Sequence, residues 1–178
     1  MQDNRAIRQK ILKLRWNLQP SVKTKLDHQI YLKTLNYIIS KKITRYIALY
    51  WPMENEVDTI ALIDELIKKG YKVCISYISR NKMVFKPIRS VHFEHEYWKN
   101  MRQPTIQSTI NGNDIETMVV PLIGFNNSNY RLGYGFNHYN DFLHTYNIHT
   151  IGLAYDFQRN DDFVTNRYDK MLKMVITN

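Results

Sequence analysis

The chain has 178 residues, a length that fits one domain, and its 44% apolar and 13% aromatic content can build a core, which excludes a disordered chain. No apolar run approaches the roughly 20 residues of a membrane span, the N-terminus opens no apolar signal core, and a single cysteine, Cys74, excludes an internal disulfide or a Cys-rich zinc site. The formal charge of +9 suits an anionic partner without choosing among nucleic acid, an acidic membrane and a polyanionic small molecule, and the expected compartment is the cytoplasm.

Ile7, Ile11, Leu12 and Leu14 lie among many cations and put one apolar stripe on a basic helix over residues 4–17. Leu18-Gln19-Pro20-Ser21 breaks it, and Ser21 is placed to cap a second helix carrying Leu26, Ile30, Leu35, Ile38 and Ile39. Residues 46–51 form a continuous apolar run bounded by turn signals, which reads as a strand buried on both faces. After the loop 52–59, Ile60, Leu62, Ile63, Leu66 and Ile67 make a helix that Lys68-Lys69-Gly70 closes. A strand over 71–76, with Cys74 as a buried small hydrophobe, completes a βαβ unit. Such a unit imposes a parallel pair and a right-handed crossover. Ligands gather at the C-terminal strand ends of such sheets, which makes the loop 52–59 a candidate site.

Residues 83–88 alternate and read as an antiparallel strand after a turn at Arg80-Asn81. Residues 90–115 show no periodicity and read as a long loop, a kind of segment that is often functional. The apolar run 117–125 is a buried strand, and Asn126-Asn127-Ser128-Asn129 turns the chain. Next comes Arg131-Leu132-Gly133-Tyr134-Gly135, a loop leading to a helix start near His138. Two glycines after an arginine let backbone N–H groups approach an anion, and a helix N-terminus behind them adds partial positive charge. The same glycines could simply turn the chain. Strands over 149–154 and 171–176 follow. The expected fold class is α/β, a single domain over 1–178 with three α/β/α layers around a mostly parallel, mixed sheet of Rossmann-like kind.

The wording of several segments resembles the 5-formyltetrahydrofolate cyclo-ligase family, whose enzyme is also called methenyltetrahydrofolate synthetase. Val120-Pro121-Leu122-Ile123-Gly124-Phe125, Tyr130-Arg131-Leu132-Gly133-Tyr134-Gly135, and then Tyr139, Phe142 and Leu143 carry the resemblance. So do the segment Met53, Glu56, Val57, Asp58, Thr59, the pentapeptide Ala154-Tyr155-Asp156-Phe157-Gln158, and Asp169. It spans the chain from Arg8 to Asp169 and departs from the family pattern in the glycine segment. There Asn137 replaces a glycine, His138 a tyrosine, Asn140 an aspartate and Asp141 an arginine. Phe136 stands where many members have lysine or glycine.

The resemblance implies ATP- and magnesium-dependent conversion of 5-formyltetrahydrofolate, with or without a polyglutamate tail, into 5,10-methenyltetrahydrofolate. It implies ATP contacts from Arg8 and Arg15 of the first helix, with Asn4 at a family lysine position and Arg5 or Lys10 as neighbouring cations. Arg131, Leu132, Gly133, Tyr134, Gly135, Phe136, Asn137, His138 and Tyr139 would complete the nucleotide site. Met53, Glu56, Asp58, Trp98 and Tyr139 are the implied folate contacts. Asp169 is the implied magnesium ligand, with Asn140 as a second, uncharged oxygen donor. The sequence also admits Asp58 as a helix N-cap and Trp98 as a loop anchor. A monomer free of nucleic acid and membrane is expected. The departures leave room for a folate- or nucleotide-binding paralogue with weakened or lost catalysis. Nucleic-acid binding, suggested by the charge and thirteen tyrosines, lacks any recognition motif, and the cations are spread along the chain.

Overall fold

The sheet grows outward from the predicted βαβ unit. In the computed structural model, which describes residues 3–53 and 55–178, β1 (Tyr46–Leu49) pairs in parallel with β2 (Val73–Ser79). Ile47 lies against Val73 and Leu49 against Ile75. The crossover is α3 (Ile60–Lys68), stopped by Gly70 at φ 84. β3 (Lys82–Ile88) returns antiparallel to β2 through Arg80 and Asn81, both at positive φ (46 and 63), the hairpin turn whose twist matches its strands. On the other side β6 (Ile115–Pro121), β9 (His149–Leu153) and β10 (Met174–Ile176) add in parallel, giving the order β10-β9-β6-β1-β2-β3.

Strand alternation sends Ile47, Leu49 and Ile75 to one face. There Ile30, Leu35 and Ile38 of α2 (Pro20–Ser40) and Leu62, Ile63 and Leu66 of α3 cover them. Ala48, Cys74, Met118 and Val120 share the second cluster, against Phe142 and Leu143 of α4 (His138–Thr145). The result is the expected mixed, mostly parallel α/β sheet with helices on both faces. α1 (Asn4–Trp16) is capped by Asp3, whose carboxylate accepts from the Arg5 N–H at 3.1 Å.

Three local expectations change. Ser21 does not cap α2, because Pro20 already occupies its first turn and needs no partner for a missing N–H. The loop over 90–115 contains a hairpin, β4 (His95–Trp98) and β5 (Met101–Pro104), with Lys99 at φ 54 in its turn. His95, Glu96 and Tyr97 are exposed, so β4 shows no alternation to read. Gln103 docks the hairpin on β2, with Oε1 accepting from Ile78 N–H at 3.0 Å and Nε2 donating to Ile78 O at 3.4 Å. Finally, Arg131 lies on a short strand, β8 (Arg131–Leu132), paired antiparallel with β7 (Gly124–Phe125). Buried Gln158 braces the approach to β7 by donating to the carbonyls of Leu122 (3.2 Å) and Ile123 (2.8 Å).

Candidate functional site

A pocket of about 330 Å³ opens where β1 and β6 end. Its floor follows directly from β1. The Tyr50 hydroxyl donates to Val57 O (3.0 Å) and the Thr59 hydroxyl to Tyr50 O (2.8 Å), so the loop after the strand folds back on itself. This buries Glu56 at 4% exposure. Its Oε2 accepts from the Met53 N–H at 2.9 Å, while Oε1 has no hydrogen-bond partner among the described residues. Burial raises the Glu56 carboxyl above its usual range, against the opposing pull of the Met53 N–H, Arg15 and Tyr134. An unpartnered buried carboxylate oxygen on a pocket wall is an acceptor waiting for a donor.

Arg15 lies beneath this floor, not in the pocket lining, at 2% exposure. Its Nε donates to Asn55 O at 2.7 Å, its Nη2 to Asn55 Oδ1 and to the Tyr134 hydroxyl (3.3 Å), and its Nη1 reaches Leu122 O at 3.4 Å. It therefore joins α1, the 52–59 loop and the glycine segment from below. Asp58 also lies outside the lining. It is exposed, and its Oδ1 accepts from the Ile60 N–H two residues on at 2.7 Å, a local turn of the Asx kind; the N-cap of α3 is Thr59, whose side chain makes no capping hydrogen bond.

The opposite wall is the glycine segment. Arg8 lines the pocket and its Nε donates to Gly133 O at 2.7 Å. A Cβ at Gly133 would sit 2.6 Å from Arg131 Nη1, so the guanidinium is seated against bare backbone. Gly135 has φ 94 and Asn137 φ 56. The asparagine standing where the family pattern has glycine thus takes the left-handed conformation it tolerates better than most residues. Arg131 Nε is buried without a partner among the described residues, its guanidinium carbon lies 5.3 Å from the Tyr139 ring centre, and its Nη2 donates to Asn140 Oδ1 at 3.2 Å. Asn140 Nδ2 donates in turn to Asp169 Oδ1 at 3.0 Å, and Asp169 Oδ2 accepts from the Asn166 N–H at 2.8 Å.

Met53, Glu56, Trp98, Arg8, Asn4, residues 131–140 and Asp169 therefore line one pocket, and Arg5, Arg15 and Asp58 do not. Arg5 and Lys10 are both exposed. The Asn4 side chain is occupied by the Val164 backbone, donating to its carbonyl and accepting from its N–H, both at 2.8 Å. The rim is aromatic. Trp98, at the hairpin tip, meets Phe136 and His138 edge-on at 6.0 and 5.8 Å, and Lys99 Nζ lies 3.8 Å from the Phe136 ring centre. Burial lowers the His138 imidazole below its usual value. Sequence reading missed Tyr50, Trp51, Ile78, Lys99, Phe163 and Asn166 in the lining. The first two immediately follow β1, and the rule that sites form at C-terminal strand ends points to them.

The residues fit magnesium in a limited way. Among the described residues no three His, Cys, Asp or Glu side chains come together, so the protein builds no cation cage of its own. Asp169 is a hard oxygen donor suited to an ion that arrives on phosphate oxygens and keeps waters. The Asn140 oxygen faces Arg131 instead. Among the described residues, no helix is long and apolar enough to cross a membrane.

Comparison with known proteins gives a consistent picture. The sequence profile of the 5-formyltetrahydrofolate cyclo-ligase family matches residues 1–178. A 5-formyltetrahydrofolate cyclo-ligase of Mycoplasma pneumoniae is 32% identical over 178 residues, covering 98% of each chain. One from Mycoplasma genitalium is 30% identical, covering 100% of this chain and 99% of its own. The solved structure of a 5,10-methenyltetrahydrofolate synthetase from Mycoplasma pneumoniae superposes with a TM-score of 0.83 at 29% identity, over 99% of both chains. The structure of the Aquifex aeolicus 5,10-methenyltetrahydrofolate synthetase shares the fold, with a TM-score of 0.84 at 23% identity over 98% of this chain and 89% of that one.

Proposed function

The chain belongs to the 5-formyltetrahydrofolate cyclo-ligase family, and from that premise we propose that it converts 5-formyltetrahydrofolate to 5,10-methenyltetrahydrofolate in this pocket, with ATP and magnesium. The observation that carries the reading is the meeting of an unpartnered buried carboxylate oxygen, Glu56 Oε1, and a cationic glycine segment, Arg8 and Arg131 with Gly133 and Gly135, across one cavity. The first suits the N–H donors of a pterin. The second suits phosphates, which a planar guanidinium grips with two parallel hydrogen bonds.

In this reading the formyl oxygen of the substrate attacks the γ-phosphorus of ATP, and ADP leaves. N10 then attacks the activated carbon and gives up its proton, and phosphate departs with the former formyl oxygen and takes up that proton. Phosphorylation turns a poor leaving group into a good one. The protein's part is positioning and charge neutralisation, which phosphoryl transfer mainly needs. Glu56 orients the pterin from the floor. Arg131 and Arg8 hold the phosphates from the opposite wall, and the backbone at Gly133 and Gly135 admits them closely. Asp169 would hold magnesium arriving on the phosphates, and the ion, when bound, would supply neutralisation of the transferring group. The aromatic rim limits water around the activated intermediate. The cavity is near the lower limit for one drug-sized ligand.

The test is the absorbance rise of the methenyl product on mixing protein, 5-formyltetrahydrofolate, magnesium and ATP. Product formation that needs all four components is the expected result. Folate binding without product, even at high protein concentration, would overturn it in favour of a binding paralogue.

A further inference from the structure

Asn140 is 5% exposed and lies in the first turn of α4. Its two neighbours dictate which way its amide faces. A guanidinium can only donate and an ionised carboxylate can only accept. The amide oxygen must therefore face Arg131 Nη2 (3.2 Å) and the amide nitrogen Asp169 Oδ1 (3.0 Å). The flipped amide would set donor against donor and acceptor against acceptor. The same amide bridges Arg131 and Asp169, which form no direct ion pair among the described residues. Such a pair would spend both charges on each other. The second oxygen of Asp169 is fixed by the Asn166 N–H at 2.8 Å, so the carboxylate is oriented as well as spaced.

We propose that Asn140 is a positioning residue, an uncharged spacer that holds Arg131 and Asp169 apart and ready, so that the nucleotide-free site binds no divalent cation and the metal enters only with the nucleotide. The part concerning the nucleotide rests on the function proposed above. A carboxylate at this position would place two like charges at hydrogen-bond distance in a buried corner where Arg131 supplies a single positive charge, and a divalent cation would supply the charge still missing. The amide nitrogen supplies hydrogens where that cation would lie. Arg131 keeps its unpartnered Nε and Asp169 its remaining lone pairs for an incoming phosphate and its metal.

The experiment uses the whole chain and Mn²⁺ as a paramagnetic probe, titrated without nucleotide, in the wild type, Asn140→Asp and Asn140→Ala. Free Mn²⁺ is read by electron paramagnetic resonance, and folding by circular dichroism. Asn140→Asp is expected to bind one Mn²⁺ at least tenfold more tightly than the wild type. Asn140→Ala, in which Arg131 and Asp169 can close on each other, is expected to bind no Mn²⁺ alone and to lose at least tenfold in magnesium–ATP affinity, with folate affinity unchanged. Equal Mn²⁺ affinity in wild type and Asn140→Asp overturns the proposal. Unchanged nucleotide affinity in Asn140→Ala does so too, and this variant decides if Asn140→Asp does not fold. An Asn140→Asp protein that folds only with Mn²⁺ supports it. If the wild type binds no nucleotide under any condition, the proposed function fails, while the nucleotide-free Mn²⁺ comparison still decides the spacer.

Discussion

The two polar walls of the pocket are built on opposite principles. On the floor, Arg15 makes its hydrogen bonds to the protein, with Asn55, Leu122 and Tyr134, and Glu56 is left with one oxygen over. On the facing wall, the Arg131 side chain makes, among the described residues, one hydrogen bond, to Asn140, and its buried Nε makes none. The arginine beneath the floor and the arginine of the facing wall thus have different jobs. One holds three segments of chain together, and the other is held in place for something else. Residue type does not distinguish them; the number of protein acceptors within reach does.

That contrast breaks first at Arg131. Arg131→Ala should cost about 2–4 kcal/mol of transition-state stabilisation, roughly 30- to 1,000-fold in kcat/KM for ATP, while folate binding and melting temperature hardly move. Steady-state kinetics with calorimetry checks it, and an unchanged kcat/KM for ATP would make Arg131 structural. The floor should answer in the other currency. Arg15→Ala strands the carbonyls of Asn55 and Leu122 and should lower stability by about 1–3 kcal/mol. A chain of this length then loses roughly 2–4 °C of Tm per kcal/mol. If its Tm stays at the wild-type value, the buried network beneath the pocket contributes nothing.

Glu56 sharpens the comparison through pH. Its carboxyl is raised in the folded protein by burial. The folded state therefore holds the proton more tightly than the unfolded one. The associated stability is full below the ordinary carboxylate value of 4.5 and is lost as pH rises through the folded value. Unfolding by urea across pH 4–8 should show this decline in the wild type and a flatter profile in Glu56→Gln. Parallel profiles would place the titration elsewhere. The smallest effect belongs to the rim. Phe136 is half exposed at 52%, so Phe136→Ala should cost under about 1 kcal/mol, the range of a single aromatic edge contact. It should shift Trp98 emission to the red, a shift that disappears in a Trp98→Phe background. No shift in emission would mean that the hairpin tip and the glycine segment do not meet in solution.

The sequence by itself determined the sheet and most of the pocket's membership. The βαβ unit around β1 and β2, the turn at Arg80-Asn81 and the helix stop at Gly70 were all legible, because each is dictated by local periodicity or by a residue's backbone freedom. The loop 52–59 and the glycine segment were legible as candidate sites, for the same local reasons. Tertiary structure alone decided what the individual side chains do. Arg8 and Arg15 lie on one helix two turns apart and both look like phosphate ligands, yet one faces the pocket and the other is covered by the loop after β1. Asp58 reads as cap or as ligand until the fold makes Thr59 the N-cap of α3 and leaves Asp58 exposed, outside the pocket lining, closing a turn on the Ile60 N–H at 2.7 Å. The hairpin bearing Trp98 left no pattern, because its strands are held by Gln103 and Glu96 to a distant strand and not by an apolar face of their own. Asn140 looked like a metal ligand short of a charge, and the amide's orientation between Arg131 and Asp169 is visible only once residues 131, 140 and 169 are brought together. A pattern of hydrophobicity is a property of neighbours in the chain. A hydrogen-bond partner is a property of neighbours in space, and the fold alone supplies those.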